Sequence, residues 1–251
     1  MTTNGHNVAA QQAPKITLYT NHRCPYAQRA HITLDELKLP YEEVIIDLDT
    51  PRPQWYLDIN PRGLVPSIKY TVPGVFDEEI ITESAIVAQF LADSFPSHLL
   101  PASRESPDAP LRRARIGFFV DTWGSKVGAN WFQVIKADSR SEKQQKVDEW
   151  VAVVKKEIEP LLAGAKPFFG GSEKLTFAEV IAAPFILRFY ALANDGELIP
   201  KNLVEQFDAL PNFGKWAKAV REHPSVTNLW DEKANVEGTK QRIEKMKAAA
   251  K

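Results

Sequence analysis

The chain has 251 residues, 44% hydrophobic and 25% charged, a composition that suits a globular protein with a sizeable core. Its 31 basic and 32 acidic side chains are spread along the sequence, so no one-signed field gathers nucleic acid or an anionic membrane. With one cysteine it cannot close an internal disulfide, and any disulfide chemistry must recruit an outside thiol.

The first residues, Met1 to Pro14, are polar and lack the basic-then-apolar pattern of a signal peptide, and no apolar run reaches the length of a membrane span. A cytoplasmic protein that stays off membranes is expected, with a flexible tail over 1–14. Lys15 to Tyr19 alternates as a strand does, and a turn over Thr20 to Arg23 leads into a helical pattern that begins at Cys24. The helix carries Ala27, Ala30, Ile32, Leu34 and Leu37 toward a core and stops near Pro40. Tyr41 to Ile46, rich in β-branched residues, reads as a second strand.

Pro51 and Pro53 make 49–60 a loop with at most a short helix over Trp55 to Ile59. Ser67 to Tyr70 and Val75 to Ile81 flank a Pro73-Gly74 turn and read as an antiparallel hairpin. A helix from Ser84 to Phe95 closes the unit.

The order βαβ, loop, ββα predicts an α/β thioredoxin-like domain over 15–95, with a mixed sheet covered by helices on both faces. The four prolines between Pro96 and Pro110 read as a stiff linker. From 111 to 230 the apolar residues recur only at helical spacing, over Arg115 to Ile135, Glu142 to Leu162, Thr176 to Ala193 and Leu210 to Val220, which predicts an all-α C-terminal domain. Thr176 and Glu179 form a capping-box pattern with a structural role. The charged stretch 231–251 reads as a frayed helix or flexible tail.

Cys24-Pro25 lies where the first strand hands over to the first helix, and proline suits a first helical turn. A thiol at a helix N-terminus meets the positive end of the dipole, which favours the nucleophilic thiolate, and Arg23 adds to that effect. Ala27 stands where a Cys-x-x-Cys pair would have its second cysteine, so a one-thiol mechanism is implied. His6, His22, His31, His98 and His223 show no metal-ligand spacing with the cysteine, and no nucleotide-binding loop is present, so neither a metal nor a nucleotide is expected. His22 reads as a loop residue.

Cys24-Pro-Tyr-Ala-Gln-Arg29, Asn60-Pro-Arg-Gly-Leu-Val-Pro66 and Glu83-Ser84 follow one another as in glutathione transferases. The resemblance runs from Lys15 to about Trp230, and the cysteine resembles that of the omega-like class. It implies a glutathione co-substrate, a cis Val65-Pro66 peptide, and pairing of the Val65 backbone with the cysteinyl part of glutathione. Further glutathione contacts implied by resemblance are Tyr26, Leu64, Ser84 and helix N–H groups on the γ-glutamyl carboxylate, Glu83 on its ammonium, and Arg52 near the glycyl carboxylate.

Among Phe118, Phe119, Trp123, Trp131 and Phe132, aromatic spacing reads first as core. The resemblance nonetheless makes Trp123, with Tyr26, a candidate wall of an acceptor-substrate cleft. A homodimer is also implied by it.

Three functions compete. Thiol transfer through a Cys24–glutathione mixed disulfide would serve deglutathionylation or the reduction of dehydroascorbate or S-glutathionyl ketones. Conjugation, isomerisation or lysis of small electrophiles would instead use the thiolate of bound glutathione, with Tyr19 or Tyr26 as donor. A non-catalytic binding or regulatory role is the third. Its membrane-inserting form is opposed by Arg29, Asp35, Glu36, Lys38, Glu42 and Glu43, since Arg, Asp or Lys at a bilayer centre costs about 2.5–3.5 kcal/mol each.

Overall fold

The computed structural model describes residues 14–249. Its first unit runs β1 (Lys15–Thr20), α1 (Pro25–Glu36), β2 (Glu42–Ile45), α2 (Gln54–Ile59), β3 (Ser67–Val72), β4 (Phe76–Thr82) and α3 (Ser84–Ser94). The sheet order is β2-β1-β3-β4, with β1 and β2 parallel and the other pairs antiparallel. This is the expected thioredoxin-like arrangement.

The alternation in β1 divides the packing between the two faces of the sheet. Ile16 and Leu18 pack with Ile68, with Ala30 and Leu34 of α1, and with Val87 and Leu91 of α3. Tyr19 packs on the other side with Tyr56 of α2, Ile46 and Val65. Helix α1 buries every residue from Ala27 to Leu34, polar ones included, because the sheet lies on one side of it and the second domain on the other.

The second unit comprises α4 (Ala109–Thr122), a π-helical turn (Trp123–Val127), α5 (Asn130–Lys136), α6 (Arg140–Glu157), α7 (Phe177–Asp195), α8 (Asn202–Asp208), α9 (Phe213–Glu222), α10 (Pro224–Thr227) and α11 (Glu232–Ala249). The stretch expected as one helix over Arg115 to Ile135 is broken at the π turn. Its first part begins earlier, at Ala109 with Pro110 in the first turn, inside the predicted linker. The preceding residues Leu99 and Leu100 are buried, and the Leu99 carbonyl accepts from Phe177 N at 2.8 Å.

Helix α7 is the spine. It is buried from Phe177 through Ala193 and is long and apolar enough by composition to span a membrane, contrary to the expectation that no segment is; here it is wrapped by the domain core. Its N-terminus carries the expected capping box. Glu179, fully buried, accepts from Thr176 N and Oγ1 (both 2.7 Å), Phe169 N (2.8 Å) and Trp216 Nε1 (2.6 Å). Burial pushes the Glu179 carboxyl up from its ordinary pKa, opposed by these hydrogen bonds.

Of the frayed helix or flexible tail expected over 231–251, the described part is a helix, α11, and it is docked rather than free. Val236 and Ile243 are buried in the core, and Lys240 Nζ lies 2.8 Å from both Asp195 and Glu197. The helix looked featureless in sequence because its few apolar residues lie on one narrow stripe. Residues 250–251, and all but Pro14 of the tail expected over 1–14, lie outside the described residues.

Candidate active site

Cys24 is the N-cap of α1, with extended backbone (φ −84°, ψ 119°) followed by Pro25 in the first turn. Proline brings no N–H, so the amides of Tyr26 and Ala27 open the helix toward the cysteine. The thiol is partly exposed and lies 3.8 Å from the Val65 carbonyl oxygen, to which it donates. The Val65–Pro66 peptide is cis. The Val65 N–H has no hydrogen-bond partner among the described residues, so the backbone edge facing Cys24 is open to pair with an extended peptide.

The loop before Val65 is held from behind. The Leu64 carbonyl accepts from Tyr56 Oη at 2.5 Å and Asn60 Nδ2 at 2.8 Å, while the Leu64 side chain is exposed. Arg52 donates to the carbonyls of Gly63 (2.9 Å), Asp47 (2.5 Å) and Thr50 (2.7 Å), so the contacts it makes here clamp the loop. Gly63 has φ +61°, and a Cβ there would press on Arg52 Cγ at 3.0 Å.

Glu83 and Ser84 begin α3. Glu83 has φ +68°, a left-handed conformation that is strained for a non-glycine residue and concentrates at functional sites. Its carboxylate pairs with Arg62. Ser84 is buried, and its Oγ accepts from Arg29 Nη1 at 3.0 Å. Tyr26 is half exposed, and its ring meets Phe185 of α7 edge-on at 5.3 Å.

Thus Cys24, Tyr26, Leu64, Val65, Pro66, Glu83 and Ser84 gather on the open ends of β1, β3 and α3. Trp123 does not join them, which corrects its assignment to a cleft wall. It is 1% exposed, lies in the α-domain core and stacks between Phe119 and Phe189 at 6.2 Å from each. Phe118, on the next step of the same helix, faces solvent.

Two buried arginines, Arg29 at the end of the Cys24 motif and Arg188 of α7, lie at the site in a way the sequence alone does not reveal. Arg188 of α7 donates to Arg23 O (3.1 Å), Gln28 Oε1 (2.7 Å), Pro184 O (2.6 Å) and Asn235 Oδ1 (3.1 Å), and lies 5.0 Å from the Trp230 ring centre. Arg29 donates to Ile181 O (3.1 Å) and Ser84 Oγ, with the rings of Tyr26 and Phe185 each 5.1 Å away. Neither has a carboxylate within salt-bridge distance among the described residues. Burial lowers Arg29 to about 10 and Arg188 to about 9, and the charge of Cys24 opposes that lowering in both, behind Tyr26 in the case of Arg29.

Both arginines remain charged at neutral pH and place positive potential behind the thiol and the α3 N-terminus. A lone arginine inside the apolar run of α7 was the available signal.

His22 is in the β1–α1 turn, as expected, with Nε2 2.6 Å from Glu43 Oε1. His31 is buried. Burial, only partly offset by Glu43, lowers its pKa to about 4, so the ring is neutral.

Fold and site together define a two-domain thiol protein of the thioredoxin-like class. The family model described as "Glutathione S-transferase, N-terminal domain" matches residues 18–101. The solved structure of glutathione transferase Omega 2C from Trametes versicolor is 30% identical, with a TM-score of 0.72, covering 91% of this chain and 99% of that one. Glutathione S-transferase omega-1 of Rattus norvegicus is 27% identical over 85% of this chain and 80% of its own length. Pyrimidodiazepine synthase of Drosophila melanogaster is 31% identical, but the match spans only 45% of this chain and 44% of that protein. The chain belongs to the glutathione transferase family, in its omega-like, cysteine-type class.

Proposed function

We propose that this protein is a glutathione-dependent thiol transferase acting through Cys24. The Cys24 thiolate attacks the glutathionyl sulfur of a mixed disulfide R–S–SG. The Cys24–SG bond forms, the old disulfide breaks, and RS⁻ leaves and takes a proton. A second glutathione, as thiolate, attacks the same sulfur, releasing glutathione disulfide and restoring Cys24. The observation that carries this reading is the position of the chain's only thiol, at the α1 N-cap beside the open Val65 backbone. No internal cysteine competes to resolve the intermediate.

In this reading Val65 pairs with the cysteinyl segment of glutathione, and Ser84, the α3 N-terminus and Arg29 receive the γ-glutamyl carboxylate. Glu83 takes the ammonium by exchanging its partner Arg62. Arg52 keeps the loop in place and leaves its outer face to the glycyl end. Glutathionylated proteins are the acceptors of this step; dehydroascorbate, with two glutathiones, and S-glutathionyl ketones, with one further glutathione, are the other proposed acceptor classes, reduced by two electrons as glutathione disulfide is released.

The proposal includes a homodimer in the cytoplasm. The exposed apolar side chains of Ile86, Leu111 and Phe118 supply surface for such an assembly, which light scattering on the full chain tests.

The direct test is the intact mass after incubation with glutathione disulfide and then with reduced glutathione. A reversible glutathione-sized adduct on the native chain, absent from Cys24→Ser, is expected. If the native chain forms no adduct while Cys24→Ser retains conjugating activity, the reaction runs through the thiolate of bound glutathione instead.

A further inference from the structure

The histidines that look scattered in sequence are partly brought together on the outer edge of the sheet. His22 comes from the β1–α1 turn, His31 from the second turn of α1, and Glu43 from the edge strand β2. The parallel β1–β2 register sets Glu43 opposite Leu18. His22 Nε2 lies 2.6 Å and His31 Nε2 lies 3.5 Å from Glu43 Oε1, and one donor atom from each residue falls within 4.8 Å of the others.

Around a zinc-like ion with bonds of about 2.0–2.2 Å, tetrahedral ligand atoms stand roughly 3.4 Å apart. The observed spacings straddle that value, so coordination needs small side-chain adjustments rather than backbone movement. We propose that His22, His31 and Glu43 form a binding site for a divalent transition ion of the zinc class, separate from the thiol site.

Two further features are those of a built site rather than a chance surface pair. His31 is buried and its other ring nitrogen lies 3.1 Å from Tyr41 Oη, an outer partner of the kind that fixes the orientation of a ligating imidazole. His22 and Glu43 are part-exposed, which gives the ion access and leaves positions for water.

The competing contact is Thr20 Oγ1, 2.8 Å from His31 Nε2, whose hydroxyl must turn away for the metal to bind. The ligand set is two imidazoles and a carboxylate, which suits zinc, nickel or cobalt better than calcium or magnesium. Occupancy would fasten the turn that carries Cys24 to the edge strand, linking ion binding to the rigidity of the thiol loop.

Titration of the full chain with cobalt(II), followed by displacement with zinc, tests this. Cys24→Ser serves as the background, so that thiol ligation is excluded. One cobalt per chain is expected, with visible ligand-field bands and no thiolate-to-cobalt charge-transfer band. His22→Ala and Glu43→Gln, both at the surface, are each expected to weaken binding at least tenfold while leaving the thermal midpoint of the metal-free chain unchanged. Tyr41→Phe is expected to weaken it less. The site does not exist if the Cys24→Ser chain binds no cobalt, or if His22→Ala and Glu43→Gln bind as the parent does. Neither outcome depends on thiol transfer, so the proposed activity stands or falls separately.

Discussion

Replacing Arg188 by glutamine tests whether a buried, carboxylate-free cation tunes the reactive thiol. Arg188 Nη2 is 3.1 Å from the carbonyl of Arg23, the residue bonded to Cys24. A separation on the order of 7 Å from the sulfur is taken for the charge pair, the scale of the few covalent bonds between that carbonyl and the thiol. At an effective dielectric constant of about 20, two opposite charges at that distance attract by about 2 kcal/mol. At about 1.4 kcal/mol per factor of ten, that attraction is worth about tenfold or more in thiol reactivity.

Removing the cation takes away its attraction for the attacking sulfur's negative charge, so alkylation must slow. Alkylation of Cys24 by iodoacetamide at neutral pH is therefore expected to be about tenfold slower in Arg188→Gln than in the native chain. Arg188→Lys, which keeps the charge, is expected to recover most of the native rate. Thermal melts are run in parallel, because glutamine also loses the hydrogen bond to Asn235. A folded Arg188→Gln chain alkylated within about twofold of the native rate would refute the electrostatic argument.

Other consequences are equally measurable. Glu179→Gln turns an amide NH₂ toward donors that now meet a carboxylate, and an expected loss of about 2–4 kcal/mol in urea unfolding follows; an unchanged midpoint would remove Glu179 from the account of α7 stability. Ser84→Ala deletes an acceptor of Arg29 beside the α3 N-terminus and is expected to raise the KM for glutathione about tenfold with kcat largely kept, because the contact lies away from the reacting sulfur; an unaltered KM would exclude Ser84 from glutathione binding. Deleting 231–251 uncovers the sites of Val236 and Ile243 and strips Arg188 of Asn235, so a loss of roughly 3 kcal/mol or more is expected from thermal unfolding; a truly free tail would leave the melt unmoved.

The sequence legibility of these parts follows the range over which each is determined. The strands, α1 and the capping box of α7 are specified by residues one to four positions apart; β1 and α7 lie within a residue or two of where alternation and capping put them, and α1 starts as expected but ends at Glu36, before the stop expected near Pro40. Cys24 was legible for the same reason, since a strand, a turn and a Pro25 helix start fix its place locally. The phase of α4 was not, because Phe118 and Phe119 differ by one step of about 100° around the axis and the apolar spacing admits either as the inner face. The structure puts Phe119 and Trp123 inward and Phe118 outward.

Arg188 illustrates the remaining gap. A charge within an apolar run announces something buried and paired, but its partners are Arg23, Gln28, Pro184 and Asn235, of which only Pro184 is near in sequence. The same contacts explain why α11 is ordered despite its polar composition. Arg188 needs acceptors that are not carboxylates if its charge is to remain available to the thiol, and an asparagine carried on a polar helix supplies one while Val236 and Ile243 seat that helix. The setting of Cys24 and the docking of the chain's last helix thus share one buried guanidinium, which is why Arg188→Gln is expected to change both the alkylation rate and the thermal melt, and Arg188→Lys chiefly the melt.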